Sequence, residues 1–233
     1  IDADVSGCVV QELLLGDEWA VDTVSCTGMH KAVALWRYEK GVANGAPFVN
    51  MCDELMGVRG ATEKALIDYA FHALDALGWR WGPAHIELKM TSDGPRLVEV
   101  NAGRFNGVDF KLFADVCCGA NAYELAALAL LDPQQFCRSV PSYPPAQLRC
   151  CGRLVKLVSS VAGTLVRLRH ENALHQLQSM VYLRAPEPGD AVPLTVDLHT
   201  CAGFAHLLHQ DPAVVAADYD AVRTLEPTLF EVV

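Results

Sequence analysis

The sequence has few basic residues. Lys and Arg together number 18, against 28 Asp and Glu, so the formal net charge at pH 7 is −10. Because binding to a phosphate backbone needs an excess of Lys and Arg, we expect no nucleic-acid partner. The acidic balance is compatible with a small nucleotide, since a triphosphate is held locally by a few cations, backbone N–H groups and bound Mg²⁺.

Long apolar runs and targeting signals are missing as well. The longest apolar run, at residues 125–131, is far shorter than the ~20 residues that cross a bilayer. Residues 1–7 carry acids where a signal peptide would need a basic region, so no signal peptide is expected. We therefore expect a cytoplasmic protein with no membrane partner.

The nine cysteines form no Cys-x-x-Cys pair. They cluster only as the adjacent pairs Cys117-Cys118 and Cys150-Cys151, which have the wrong spacing for a zinc ribbon. Several lie in apolar stretches, where a free cysteine behaves as a small hydrophobic residue. Reduced, buried thiols in a cytoplasmic protein are the simplest interpretation.

Hydrophobic periodicity predicts an α+β fold built mostly from antiparallel hairpins. Strand formers predict strands at residues 19–24 and 30–38, after an earlier β segment that ends at Gly16-Asp17. Residues 41–60 hold four Gly, one Pro and two Asn, and are predicted to be mostly loop. An apolar stripe with spacings of three and four then predicts a helix at 61–77.

Two strands are predicted next, at residues 85–90 and 96–100. The segment Ser92-Asp93-Gly94-Pro95 between them is rich in turn formers and indicates a hairpin. Helical segments are expected at 110–117 and 122–131.

Three prolines and a lack of periodicity in residues 139–147 predict a junction between two domains. We therefore divide the chain into two parts, residues 1–140 and residues 141–233. The second part is expected to be small and β-rich, with strands at 154–158, 164–168, 179–184 and 196–202 and a final helix at 213–225.

The predicted hairpin carries the residues of chemical interest. Side chains two apart on a strand share a face, so His85 points with Glu87, and Glu99 points with Asn101. Because the turn is short, two carboxylates and one amide oxygen can converge. Three oxygen ligands, with places left for water and phosphate, suit Mg²⁺ in a nucleotide site. A solvated hairpin face explains the same pattern, and the spacing alone leaves both interpretations open.

Other polar residues also have two interpretations. Arg37, Tyr38 and Lys40 come at the end of a strand, and either face an active site or reach solvent. Asn106 is interpreted as a loop former. Asp109 either contacts a substrate or, more simply, is the N-cap of the helix that follows.

From about residue 9 to residue 107, the chain resembles the ATP-grasp superfamily. Within it the likeness is to carboxylate–amine ligases, especially L-amino acid ligases of the bacilysin synthetase type. The resemblance implies an antiparallel sheet with flanking helices, followed by a small β-rich subdomain that helps to close the substrate pocket. The segments that carry it are QELLLGDEW, HKAVALWRYEK, the helix ending in ALGW, and GPAHIELKMTSDGPRLVEVNAGRFNG.

The resemblance implies nucleotide-binding roles near the start of the chain. In the family, a strand with Gln-Glu and apolar residues forms the hinge over the adenine, which corresponds here to Gln11-Glu12-Leu13-Leu14. The acid after the following glycine contacts the ribose, and this acid corresponds to Glu18. ATP is therefore the expected cosubstrate.

The resemblance also implies roles on the hairpin. Glu87 and Glu99 correspond to the paired ligands of Mg²⁺ or Mn²⁺, and Asn101 corresponds to their companion. Arg104 corresponds to the catalytic arginine, although family members often place it one position earlier. His85 corresponds to a substrate-side position in the catalytic machinery.

The implied activity is that of an ADP-forming ligase. Such an enzyme activates a carboxylate as an acyl phosphate and couples it to an amine, so small-molecule carboxylate and amine substrates, such as amino acids, are expected. Two alternatives stay open: a carboxylase or carbamoyl-phosphate-type ATP-grasp enzyme, and a non-catalytic nucleotide-binding remnant. Because the chain begins at Ile1 and holds no glycine-rich phosphate loop, we expect the C-terminal part of a longer enzyme.

Overall fold

An antiparallel sheet of eight strands forms the centre of the structure, a computed structural model that describes residues 10–233. The strands of this sheet and of a smaller one are β1 (Asp17–Cys26), β2 (Met29–Ala43), β3 (Ala46–Met56), β4 (Gly82–Thr91), β5 (Gly94–Ala102), β6 (Cys151–Leu157), β7 (Gly163–Leu168), β8 (Met180–Arg184), β9 (Ala191–Val192), β10 (Gly203–His209) and β11 (Phe230–Val232). The large sheet has the order β5-β4-β1-β2-β3-β6-β10-β8, and the small one has the order β11-β7-β9. The predicted α+β class with antiparallel pairing is confirmed.

Helices flank the large sheet. They are α1 (Ala61–Ala76), α2 (Val108–Phe113), which continues as a π-helical turn at Ala114–Cys118, α3 (Ala122–Leu131), α4 (Pro133–Ser139), α5 (Glu171–His175) and α6 (Pro212–Leu225). Helix α1 confirms the prediction for residues 61–77, because its predicted apolar stripe is buried through Leu66, Ala70 and Leu74. The prediction did not include α4, which begins with Asp132 as N-cap and Pro133 in its first turn.

The prediction of loop for residues 41–60 was wrong, because β2 and β3 form a long hairpin there. Asn44 and Gly45 make the turn, and their φ angles of 51° and 84° are both positive. Such a turn matches the twist of the two strands, and Asn-Gly is its preferred sequence. The number of glycines and asparagines was therefore a sign of one tight turn, and the strand residues Val49 and Leu55 are buried.

Two further strand predictions were wrong. Residues 7–9 of the first predicted β segment lie outside the described residues, while residues 10–15 form no strand and are mostly exposed. No strand within residues 10–233 pairs with them, so their backbone has no ladder partner. Residues 196–202 form a loop, because the Thr200 hydroxyl accepts hydrogen bonds from the backbone N–H groups of Val196 and Asp197 at 2.8 and 2.9 Å.

The alternation of side chains along β1 separates the two faces of the sheet. Trp19 and Val21 face α1 and pack in its core. Ala20 packs on the other side with Phe113 of α2. Because neighbouring residues on a strand point to opposite faces, Glu18 shares the α2 face with Ala20. Polar side chains on this face line the site described below.

Strands from both sides of residue 141 belong to the same large sheet. β6 pairs with β3 and also with β10, which in turn pairs with β8. Helix α6 packs on this end of the sheet through Val215 and Val222. The division of the chain at residues 140 and 141 stays a prediction.

Within residues 10–233, no single helix has the length and hydropathy needed to cross a membrane. One pair of helical segments, Val108–Cys118 and Ala122–Leu131, passes that test only when the two are taken together, and the pair is bent by 85°.

Candidate active site

A pocket of about 530 Å³ lies on the α2 face of the large sheet. Its walls come from strands β1 to β6, from the loop after β5, and from α2. Six of the ten residues proposed for function on sequence grounds line it: Glu18, His85, Glu87, Glu99, Asn101 and Arg104. The pocket therefore brings together side chains from β1, from the β4–β5 hairpin and from the loop that follows the hairpin.

The β4–β5 hairpin brings the two predicted metal ligands together. Glu87 lies directly opposite Glu99 in the strand register, and His85 lies opposite Asn101. The register shifts by one residue beside this pair and leaves Val98 without a partner, which makes a β-bulge. Such bulges occur next to active sites, where they redirect side chains.

His85 is the centre of a buried hydrogen-bond network. Its Nδ1 lies 2.8 Å from Asp22 Oδ1, and its Nε2 lies 3.3 Å from Glu87 Oε1 and 3.3 Å from the hydroxyl of Tyr38. Burial alone would lower the pKa of His85, but the hydrogen bonds and charges of Asp22 and Glu87 outweigh it and raise that pKa to about 10. The imidazole is therefore held in place as a cation between two carboxylates.

The same network acts on its neighbours. The hydrogen bond from His85, which outweighs partial burial, lowers the pKa of Glu87, so this carboxylate stays ionised. Burial, followed by the charges of Asp53 and Glu87, raises the pKa of Tyr38 well above its usual value, so the phenol stays protonated. An ionised oxygen ligand and a neutral hydroxyl therefore face the pocket side by side.

Asp22 was overlooked in the sequence because it interrupts an apolar strand. The residue is 6% exposed, and its Oδ2 accepts a hydrogen bond of 2.8 Å from the indole of Trp36. The amide of Asn106 lies 3.5 Å from the same oxygen. A buried carboxylate is costly unless it is paired. An Asp within an apolar strand is therefore the sign in the sequence that Asp22 has a polar partner.

Glu18 lines the pocket, whereas the predicted adenine hinge lies outside it. The carboxylate of Glu18 is paired with Lys40, and Lys89 Nζ lies 3.7 Å from Glu18 Oε2. Lys89 also donates a hydrogen bond of 3.2 Å to the carbonyl of Leu14. Residues 11–14 line a separate surface groove of about 330 Å³ together with Lys89 and the exposed face of β5.

Arg104 is exposed at the rim of the pocket, in the loop between β5 and α2. Gly103 begins this loop with a φ of 79° and donates a hydrogen bond of 2.8 Å to the carbonyl of Pro83. Phe105 stacks on Tyr123 with 4.1 Å between the ring centroids. The residues on either side of Arg104 are therefore anchored, while its long side chain reaches the pocket.

The polar residues at the end of β2 either face an active site or reach solvent, and which of the two applies depends on the face of the strand. Tyr38 and Lys40 line the pocket, whereas Arg37 points to the other face and pairs with Glu54 at 2.5 Å. Asp109 also lines the pocket, but it was wrong to predict it as an N-cap, because that position belongs to Gly107.

Three more polar residues line the pocket at its β3–β6 side. Asn50 and Asp53 lie on β3, and Lys156 lies on β6. No local pattern indicates their association, since Asp53 and Lys156 are 103 residues apart in the chain. The prediction of loop for residues 41–60 also gave no indication that Asn50 and Asp53 lie on a strand.

The hairpin side chains fit a divalent cation held jointly with a nucleotide. Among residues 10–233, no group of three or more His, Cys, Asp or Glu side chains is placed to hold a metal ion by itself. Glu87 and Glu99 supply two carboxylates, and Asn101 donates from its Nδ2 to Glu99 Oε1 at 2.7 Å, which turns its amide oxygen away from that carboxylate. Mg²⁺ commonly binds one or two carboxylates and takes its other ligands from phosphate and water.

Comparisons with known proteins agree with this arrangement. No protein-family model matches the chain. Dapdiamide A synthase from Enterobacter agglomerans is 26% identical over 221 residues, which are 94% of this chain and 51% of that protein. The chain thus spans about half the length of the curated relative that it matches.

Solved structures show the same fold. An L-amino acid ligase from Bacillus licheniformis superposes with a TM-score of 0.73 at 20% identity, over 91% of this chain and 53% of that one. Phosphoribosylglycinamide synthetase from Anaerococcus prevotii gives 0.66 at 13% identity, over 95% and 54% of the two chains. N5-carboxyaminoimidazole ribonucleotide synthetase from Thermus thermophilus gives 0.58 at 14% identity, over 93% and 52%. The chain therefore has the fold of these solved enzymes, and its sequence is similar to that of dapdiamide A synthase.

Proposed function

We propose that this chain is part of an ATP-dependent, ADP-forming ligase that activates a small carboxylate as an acyl phosphate and joins it to an amine. One observation carries the proposal: Glu87 and Glu99 face each other at a pocket that Arg104 and Asn101 also line. The relatedness to dapdiamide A synthase and to an L-amino acid ligase supports amino acids or similar molecules as substrates. We also propose a cytoplasmic location.

Glu87, Glu99 and Asn101 would hold Mg²⁺, or Mn²⁺, against the phosphates of ATP. When bound, this ion neutralises charge on the transferring phosphoryl group. His85 keeps Glu87 ionised and oriented through the 3.3 Å contact of its Nε2. Arg104 would hold the substrate carboxylate by bidentate contact, because its guanidinium carries two parallel N–H donors.

The reaction then needs two displacements. A carboxylate oxygen attacks the γ-phosphorus of ATP, the bond to the β,γ-bridging oxygen breaks, and ADP leaves. The amine nitrogen next attacks the acyl carbon, phosphate leaves, and the nitrogen loses a proton. The pocket residues contribute positioning and charge stabilisation, which are the main means of catalysis in phosphoryl transfer.

The nucleotide would lie along β1 and the segment before it. Glu18 would contact the ribose, and this role is supported by its position in the pocket lining and by its ion pair with Lys40. Gln11-Glu12-Leu13-Leu14 would supply the adenine hinge, next to the groove where Lys89 holds the carbonyl of Leu14. These roles belong to the proposal and depend on the rest of the longer enzyme.

A carboxylase-type reaction is the second candidate, because the fold also superposes on N5-carboxyaminoimidazole ribonucleotide synthetase with a TM-score of 0.58. The two candidates are distinguished by measuring phosphate release from Mg-ATP by the full-length parent protein. The panel contains amino acids singly and in pairs, and bicarbonate. Release that needs a carboxylate and an amine together supports the ligase, whereas release with bicarbonate alone supports the carboxylase. A folded protein that binds ATP and releases no phosphate would contradict both and support a non-catalytic remnant.

A further inference from the structure

A second polar cluster occupies the β3–β6 side of the pocket, and the proposed chemistry gives it no role. Asp53 and Lys156 form an ion pair there, although they are only 1% and 3% exposed. Asp53 lies opposite Leu154 in the strand register, and Lys156 is two residues further along the same face of β6. Removing two charges from water costs several kcal/mol per ion, so stability alone does not explain the pair.

The ammonium group of Lys156 is fixed in position. It lies 5.6 Å from the ring centroid of Phe110 and 5.8 Å from that of Phe204. Within residues 10–233, its one hydrogen-bond partner is Asp53. Because an ammonium carries three N–H donors, Lys156 keeps donor capacity at the pocket wall.

Asn50 adds an acceptor to this donor. Its Nδ2 donates a hydrogen bond of 2.8 Å to Asp53 Oδ1. The orientation of the amide follows from this contact, since an ionised carboxylate only accepts hydrogen bonds. The other amide atom, Asn50 Oδ1, is buried and has no partner within residues 10–233. A buried acceptor without a partner is unfavourable, and a bound donor would remove that cost.

The charges of Asp53 and Lys156 cancel, and the groups left for a ligand are the N–H donors of Lys156 and the Oδ1 acceptor of Asn50. A ligand carboxylate would find the Lys156 donor but would also face the oxygens of Asp53 and Asn50. A ligand ammonium would satisfy Asn50 Oδ1 but would face the Lys156 cation. An uncharged carboxamide matches both sides, because its oxygen accepts from Lys156 while its NH₂ group donates to Asn50 Oδ1.

The cluster lies within reach of a molecule that reacts at the hairpin. Tyr38 is opposite Asp53 in the register of β2 and β3, and its hydroxyl is 3.3 Å from His85 Nε2. Glu87 and Asp53 are separated by three strand spacings, or about 14 Å at the usual strand distance. That span accommodates the transferring phosphoryl group and a short substrate. Phe48 and Leu198 supply apolar wall for its carbon chain.

We propose that Asn50 and Lys156 form a specificity subsite that binds a carboxamide on the carboxylate substrate. The inference rests on the proposed ligase function and names the class of substrate. It predicts a preference for an uncharged amide end over a carboxylate, an ammonium or a methyl end of similar length. One well-placed hydrogen bond of roughly 1.4 kcal/mol corresponds to about a tenfold preference.

The test uses the full-length parent enzyme with Mg-ATP and hydroxylamine, so that the amine is the same in every reaction. L-glutamine, L-glutamate, L-ornithine and L-norleucine are compared as carboxylate substrates by hydroxamate formation. We expect kcat/KM for glutamine to exceed the other three by about tenfold or more. Equal or better use of norleucine would overturn the subsite. Hydroxamate formed from other carboxylates, with no use of glutamine, would overturn it while the ligase function stands.

Two variants connect the preference to the cluster. Asn50→Asp places a second carboxylate beside Asp53, so the preference for glutamine over ornithine should shrink by about tenfold or reverse. Asn50→Ser, whose shorter side chain withdraws the acceptor from the ligand amide, replaces it if the first variant fails to fold and should reduce the preference in the same direction. Glu54→Gln is the matched control, because Glu54 directly follows Asp53 on β3 and its side chain points to the opposite face, toward Arg37. An unchanged order of substrates in the Asn50 variants would contradict the proposal.

Binding is measured separately from turnover. The increase in Tm caused by glutamine in the presence of Mg-ADP should exceed the increase caused by glutamate or norleucine, and it should be lost in Asn50→Asp. A ligand-induced shift that is the same for all three amino acids would contradict the subsite even if no hydroxamate forms in any reaction. Absence of hydroxamate with every carboxylate, combined with a glutamine-specific shift, would instead count against the ligase function.

Discussion

Asp22 and His85 hold each other across neighbouring strands β1 and β4, with 2.8 Å between Oδ1 and Nδ1. Asp22 is fixed in turn by the indole of Trp36, and His85 contacts Glu87 with its other ring nitrogen. A carboxylate that does not line the pocket thus orients a residue that touches a proposed metal ligand. Such supporting contacts commonly decide how well a metal ligand is positioned.

Replacing Asp22 with Asn should therefore weaken both the fold and the site. The amide keeps the shape of the carboxylate, but only its one oxygen accepts hydrogen bonds, so it cannot accept from both Trp36 and His85 in the present geometry. We expect a loss of about 1–3 kcal/mol in the free energy of unfolding, because a buried donor loses its partner. Denaturant unfolding measures this loss, and the Mg²⁺ concentration that gives half-maximal phosphate release should increase. A variant with wild-type stability and Mg²⁺ dependence would refute the positioning role.

The buried pair of Asp53 and Lys156 gives a second prediction. Lys156→Met or Asp53→Leu alone leaves one buried charge without a partner, and each should destabilise the protein by about 3–5 kcal/mol. The double variant should lose less than the sum, because no unpaired charge remains. Chemical denaturation of the four proteins measures the coupling.

The exposed pair of Arg37 and Glu54 is the matched control for that cycle. The side chain of Arg37 is 44% exposed, so Arg37→Met should change the free energy of unfolding by about 0–1 kcal/mol. Additive effects of Asp53→Leu and Lys156→Met would show that the two charges do not depend on each other.

The turn between β2 and β3 gives a third prediction. Asn44 has a φ of 51°, and its Nδ2 donates to the carbonyls of Ser159 and Thr195, both at 2.8 Å. Asn44→Ala should lower the stability by about 1–3 kcal/mol, since it strains the backbone and removes the Asn44 donor from the Thr195 carbonyl, while the Ser159 carbonyl keeps the Thr195 N–H at 3.0 Å. Asn44→Gly separates the two causes, because it removes the hydrogen bonds and relieves the strain. Thermal unfolding measures both variants, and an alanine variant as stable as the wild type would contradict this account.

The β4–β5 hairpin could be predicted from the sequence because its information is local. Turn formers and strand formers follow each other within residues 85–100, and the period of two places Glu87 and Glu99 on known faces. The bulge at Val98 could not be predicted, since a shift of one residue depends on the packing of both strands.

The β3–β6 side of the pocket could not be predicted for a different reason. Asp53 meets Lys156 only because β6 pairs with β3, and the 103 residues between them contain no pattern that specifies this pairing. The turn at Asn44-Gly45 was the available clue to β3.

The most direct test of the central claim is the variant Glu99→Gln in the full-length parent protein. Gln keeps the size of the side chain and removes one of the two charges that face each other at the pocket. Asp93→Asn, in the exposed turn of the same hairpin, is the matched control. The measurements are phosphate release from Mg-ATP and the increase in Tm that Mg²⁺ causes in the presence of ADP.

We expect Glu99→Gln to fold normally, to lose the Mg²⁺-dependent increase in Tm, and to release phosphate at least about 100-fold more slowly, because a main electrostatic contact of the transition state is removed. Asp93→Asn should behave like the wild type in both measurements. Phosphate release by Glu99→Gln at the wild-type rate, with the Mg²⁺ effect on Tm retained, would contradict the claim that this hairpin holds the metal and the nucleotide.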